Sequence, residues 1–214
     1  MAEDARREDA RRRGSRVAEV SSLAHHFVTM AWNNAWANHR LLGAVVRLSQ
    51  EEFAAKRTSF FPSLKATLNH IVTVDWYYVD ALERGLRGQA PNEGAIRQFF
   101  EPEEPFEDAA ALRAAQRAVD LRLVAACKLL GEDELEKPIA IVRGSGVQHE
   151  TATRMLAHLF QHQIHHRGQA HAMLAGTSVA PPQLDEFFCA GEAHLRAAEL
   201  AELGTSEEEL WPTE

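Results

Sequence analysis

The chain has 214 residues, 45% of them hydrophobic, enough to bury a sizeable core in a single domain. Twenty-three basic against thirty-one acidic residues leave a formal charge of −8, which argues against broad binding to a phosphate backbone and makes nucleic acid a poor partner. Cys127 and Cys189 form neither a CxxC pair nor a disulfide framework, and no apolar run approaches the ~20 residues that cross a bilayer. A cytoplasmic, reducing setting without a membrane partner is expected, with both cysteines packed as apolar residues.

In chain order, residues 1–16 (MAEDARREDARRRGSR) mix arginine with acids and carry almost no large apolar side chain, so a disordered tail is expected. Glu3, Asp4, Glu8 and Asp9 count against a transit peptide, and an apolar signal core is absent. The folded domain is expected over 17–203. From Val17 to about Leu48, apolar residues such as Val20, Leu23, Phe27, Met30, Leu41 and Val45 recur at three- and four-residue steps, the spacing of one helix face. Pro62 and Ser63 begin a second helix, carried by Leu64, Leu68, Ile71, Val72 and Trp76 toward Gly85. A third runs roughly from Asp108 to Leu130 and stops at Gly131.

The stretch KPIAIVRGSGVQHET breaks the helical pattern with two β-branched runs around a Gly-Ser-Gly turn, a small hairpin. Thr151 or Thr153 caps a fourth helix that ends at Gly176, before Pro181-Pro182. A last helix is expected over about Leu184–Leu203, and residues 204–214 read as a loose acidic tail. Four long helices with a hairpin before the fourth predict an all-α antiparallel bundle with an extra C-terminal helix.

The fourth helix concentrates the chemistry, with five of the eleven histidines between His158 and His171. Positions four apart stack on one face, so His158, His162 and His166 form a stripe, with His165 on its flank and His171 on another side. The H-x3-H spacing is the device of the zinc proteases, but Gln163, Ile164 and His165 stand where their general-base glutamate would be, so protease chemistry is not expected. An ion held by two histidines wants a third protein ligand. Of His25, His26, His39, His70, His149 and His194, His70 is preferred, because it lies mid-helix among large apolar residues where an unpaired imidazole is costly to bury.

The strings HLFQHQIHHRGQAHAML followed by APPQLD, FFPSLKATLNHIVTVDWYY and AWNNAWANHRLL resemble, in order and spacing over roughly Leu23 to Phe188, the DinB-like (DinB/YfiT-like) family. The resemblance implies an up-down four-helix bundle binding a divalent metal through one histidine of the second helix and two of the fourth, which correspond here to His70, His162 and His166. His158 and His165 fall outside that pattern. Relatives include transferases and isomerases that use a low-molecular-weight thiol, so the resemblance implies a small-molecule substrate and a metal-dependent S-transfer or hydrolysis. Three neutral nitrogens suit zinc or nickel foremost, and also cobalt or ferrous iron. A non-catalytic, metal-stabilised binding module is the alternative, and a stress or damage response is suggested only by the family's name.

Supporting roles are weighed on the same geometry. Gln169 shares the face of His162 and His166 and could bond a ligand. Gly168 inside a helix suggests close helix approach. Asn34 and Asn38 are expected to satisfy buried polar groups, and Ser63 and Thr67 to serve the helix start. Asp75 lies about 140° around the helix from His70, so it is not expected to support that ring. Family members often pair through helix faces, so a homodimer is expected, with Phe187 and Phe188 either at its interface or covering the bundle.

Overall fold

The structure, a computed structural model, describes residues 22–212. Ser22 caps the first helix, α1 (Leu23–Val45), by accepting from the His25 N–H at 3.1 Å. A one-turn helix, α2 (Gln50–Ala54), follows, closed by a capping box between Ser49 and Glu52. Then come α3 (Leu64–Leu86), α4 (Ile96–Phe100), α5 (Ala109–Lys128), α6 (Glu132–Leu135), the strands β1 (Pro138–Arg143) and β2 (Gly146–Thr151), α7 (Ala152–Leu174), α8 (Ala193–Leu203) and α9 (Glu207–Leu210). The expected Asp108 and Thr151 are N-caps, and Ser63 rather than Pro62 caps α3. No helix among the described residues is long and apolar enough to cross a membrane.

The fold is all-α with one small hairpin. Helix α1 packs chiefly on α5 and α7, and α3 packs on the same two, so α1 and α3 stand diagonally across the bundle. Trp32, Trp36, Val72, Val79, Leu123, Leu156 and Leu159 are buried in the principal core. At ~25 cal/mol per Å² of apolar surface, side chains of this size each contribute roughly 1.5–3 kcal/mol. The antiparallel hairpin pairs Ile139 with Glu150 and Ile141 with Gln148, and Ile139 and Ile141 turn inward. Gly85, at the end of α3, lets β1 approach: a Cβ there would lie 2.5 Å from Ile139 Cδ1.

Several expectations need correction. The last helix starts at Ala193, not near Leu184. Phe187 inserts beside Trp36, and buried Arg196 donates to Glu186 O and Cys189 O, satisfying carbonyls a helix would have used. Residues 204–212 are not loose. Ser206 caps α9, Leu210 is buried, and Arg196 pairs with Glu207 at 2.7 Å. Cys189 is exposed rather than packed, whereas Cys127 is buried and burial pushes its thiol up to about 12. Phe187 is likewise buried and covers the bundle; Phe188 is exposed. The expected N-terminal tail and the start of the domain at Val17 lie outside the described residues.

Candidate metal centre

Helices α3 and α7 pack side by side, and their facing stripes bring His70 against His162 and His166. One nitrogen of each ring lies within 4.8 Å of the others, a donor set able to hold a metal ion. His70 Nε2 and His162 Nε2 are 3.0 Å apart. Two ligands at roughly 2.0–2.1 Å from one tetrahedral ion require that spacing to within a few tenths of an ångström. Ring centroids are 4.9 Å apart for His70–His162, 4.7 Å for His70–His166 and 4.4 Å for His162–His166.

The electrostatics favour neutral imidazoles, the form that ligates. Burial, then the charge of His166, lowers His70 to about 4; burial, then His166, His70, His158 and His165, lowers His162 to about 3. His166 is also lowered, by burial first, although its bond to Gln169 opposes the shift. That bond runs from His166 Nδ1 to Gln169 Oε1 at 2.9 Å and leaves Nε2 free. Gln169 in turn donates to His165 Nε2 at 3.1 Å. His162 Nδ1 is buried without a partner, so packing rather than a hydrogen bond sets its ring. Phe61 covers the centre, 4.3 Å from His70 and 5.4 Å from His166 between centroids.

The other sequence candidates take structural places. His158 is exposed, 6.3 Å from the His162 ring and 5.4 Å from Tyr78. Arg143 donates to Tyr78 Oη at 2.9 Å on the hairpin side. His171 Nε2 bonds Pro182 O at 2.9 Å and ties α7 to the following segment. His39 pairs with Glu202 at 3.0 Å, and His25 lies against Trp211. Ser63 and Thr67 serve the start of α3, with Thr67 Oγ1 donating to Ser63 O at 2.8 Å. Gly168 is exposed, and a Cβ there would meet nothing, so close helix approach does not explain it.

Asn34 and Asn38 satisfy buried polar groups as expected, within a second polar cluster whose other members were not brought together from the sequence. On the stripe of α7 next to the histidines, Gln163 donates to Asp75, and Arg167 Nη1 donates to Asn34 Oδ1 at 2.7 Å and Asn38 Oδ1 at 3.0 Å. Asn34 and Asn38 donate to Asp120, and Gln116 Nε2 donates to Asp75 at 2.6 Å and Asp120 at 3.0 Å. All seven side chains are buried. Burial raises Asp75 to about 7 against the opposing bonds from Gln116 and Gln163. Burial and then the charge of Asp75 raise Asp120 well above the carboxylate range, and burial lowers Arg167 to about 10. The signal was present as polar pairs four apart on apolar helix faces: Asn34/Asn38, Gln116/Asp120 and Gln163/Arg167.

The bundle, its hairpin and the histidine placement can now be set beside known proteins. The family model described as "DinB family" matches residues 20–197, most of the chain. The chain belongs to the DinB family. It is 29% identical over 160 residues to Protein DinB of Bacillus subtilis (strain 168), covering 69% of this chain and 85% of that protein. It also resembles the crystal structure of a DinB-like protein from Bacillus cereus ATCC 10987, with a TM-score of 0.51 and 18% identity over 70% of this chain and 89% of that one. That second likeness speaks for the fold alone. As a DinB family member, the chain combines this bundle with a three-histidine group compatible with metal binding.

Proposed function

We propose that His70, His162 and His166 hold one divalent transition ion through nitrogen, and that this DinB family protein is a metal-dependent enzyme acting on a small molecule by S-transfer or hydrolysis. The observation that carries the reading is the convergence of three imidazoles from two helices, with one nitrogen of each ring within 4.8 Å of the others and the Nε2 atoms of His70 and His162 3.0 Å apart. Bound there, the ion would supply Lewis-acid chemistry, lowering the pKa of water or of a low-molecular-weight thiol, or polarising a carbonyl. Zinc or nickel suits the donor set foremost, with ferrous iron as a further candidate.

The chain's own residues do the rest. Gln169 holds the His166 ring in the tautomer that leaves Nε2 unprotonated. Phe61 caps the cluster and limits water around His70 and His166. Burial keeps His70 and His162 neutral at physiological pH, so binding an ion need not expel protons from them.

Metal content by mass spectrometry tests the reading, comparing untagged protein with His70→Ala and the double variant His162→Ala/His166→Ala. The expected result is one ion per wild-type chain, lost in both variants, followed by thiol-dependent turnover of electrophiles. Wild-type protein that stays empty after reconstitution with zinc, nickel and ferrous iron would sink it. A bound ion with no turnover, and a large loss of stability on chelation, would instead favour a metal-stabilised binding module.

A further inference from the structure

Beside the histidine cluster, the chain between α2 and α3 lies over the second half of α7 and lines an open surface pocket of about 550 Å³. Its lining includes Arg57, Thr58, Ser59, Phe60, Gln169 and Met173. A volume of this size suits a small organic ligand, for which pockets of roughly 300–1,000 Å³ are usual. The segment is closed by the Arg57 N–H donating to Pro62 O at 2.7 Å. Two walls are shared with the histidines: the Phe60 ring lies 6.5 Å from that of His166, and Gln169 accepts from His166 Nδ1.

The charge in this pocket is unbalanced. Arg57 donates through Nη1 to Ala55 O at 2.9 Å and through Nη2 to Glu52 O at 2.8 Å, which fixes the plane of its guanidinium at the end of α2. Glu52 offers Arg57 only its backbone carbonyl. Its carboxylate is turned to Ser178, accepting from the backbone N–H at 2.9 Å and the hydroxyl at 3.0 Å. Among the described residues no carboxylate lies within ion-pair distance of Arg57, and the other guanidinium N–H groups remain for a ligand. A pre-oriented guanidinium flanked by the hydroxyl-bearing Thr58 and Ser59 matches a planar oxyanion better than a cation or a neutral group. Phe60 and Met173 supply apolar wall for a short hydrocarbon spacer.

We propose that this pocket is an anion-binding arm of the histidine site, taking the carboxylate of a small molecule whose other end reaches His70, His162 and His166. The inference rests on the proposed metal site and narrows its substrate class to bifunctional carboxylates.

The test uses the full chain loaded with cobalt(II), whose visible spectrum reports the ion and whose thiolate charge-transfer band reports a bound sulfur. The probes are ω-mercaptocarboxylates of increasing chain length, each beside the mercaptoalcohol of the same length. At least one acid is expected to bind on the order of tenfold more tightly than its alcohol, the scale of a charge-assisted bond. Arg57→Gln should erase that preference. Thr58→Asp, at an exposed position that spares the cap on α2, should erase it as well and carries the test if the arginine variant does not fold. Equal binding of acid and alcohol at every length, or a preference that survives both substitutions, would overturn the anion arm while the cobalt spectrum still upholds the metal centre. A wild-type protein without a cobalt spectrum would overturn the metal centre, and this inference with it.

Discussion

Two neighbouring stripes of α7 place polar side chains in the bundle, and they solve the problem of burial in opposite ways. The Gln163/Arg167 stripe meets Asp75, Asp120, Gln116, Asn34 and Asn38 in a connected network, where the one guanidinium faces two carboxyls across intervening amides and Asp75 Oδ1, Gln116 Oε1 and Gln163 Oε1 are left without a partner. The His162/His166 stripe meets His70 and brings one nitrogen of each ring within 4.8 Å of the others. The network fixes how the helices sit, because its bonds join side chains of α1, α3, α5 and α7. The open histidine set has the donor atoms to hold one metal ion. The contrast separates architecture from chemistry one residue apart on the same helix.

The sharpest way to break the contrast is to cut the network at its guanidinium. Arg167→Met removes the only cation facing Asp75 and Asp120 in the network, and breaking a buried pair in this way should cost about 3–5 kcal/mol in urea unfolding. A loss under 1 kcal/mol would mean that the amides and a carboxyl proton suffice without the guanidinium. On the open side, Gln169→Ala should lower metal affinity roughly 10- to 100-fold, the usual effect of removing an orienting partner, with little change in the stability of the metal-free protein. Unchanged affinity would show that packing alone orients His166.

The two stripes should also respond to pH with opposite signs in metal-free protein. Asp75 is raised from 3.8 to about 7, so the folded state holds the extra proton and stability falls as pH rises between those values. His70 and His162 are lowered from 6.5 to about 4 and about 3, so the unfolded state holds the extra protons and stability falls as pH drops below 6.5. Asp75→Asn should therefore steepen the loss of stability on acidification, and His70→Ala should flatten it, measured by urea midpoints from pH 4 to 7 (roughly the window between these values). Parallel profiles for both variants would contradict the opposition. The smallest effect is expected at Gly168, whose exposed helical position meets no neighbour: Gly168→Ala should stabilise by about 1 kcal/mol without touching either stripe.

Much of this was legible before the structure. The four long helices announce themselves by apolar spacing and by the caps Ser63, Asp108 and Thr151, because amphipathic periodicity and end chemistry are local properties. The three-histidine set followed from spacing, from the apolar setting of His70 and from family strings. What escaped depends on contacts between distant segments. Asp75 was weighed only against His70 on its own helix, whereas its partners Gln116 and Gln163 come from α5 and α7. Residues 184–192 carry helix-compatible side chains, yet Phe187 and Arg196 draw that backbone into another path. The short α2 was readable from Ser49 and Glu52 as a capping box but stood too close to α1 to be separated from it.

The C-terminal turn that buries Leu210 also brings the two ends of the described chain together, since Ser22, His25 and Trp211 line one pocket and the His25 and Trp211 rings are 5.6 Å apart. A short linker could therefore join Pro212 to Ser22, with new termini cut at the exposed Gly144-Ser145 turn of the hairpin. The circularly permuted chain would carry α7 as its first long helix and α3 in its second half, before α5. The two halves of the histidine centre, now joined in the order α3 then α7, would be made in the reverse order without a change in their geometry.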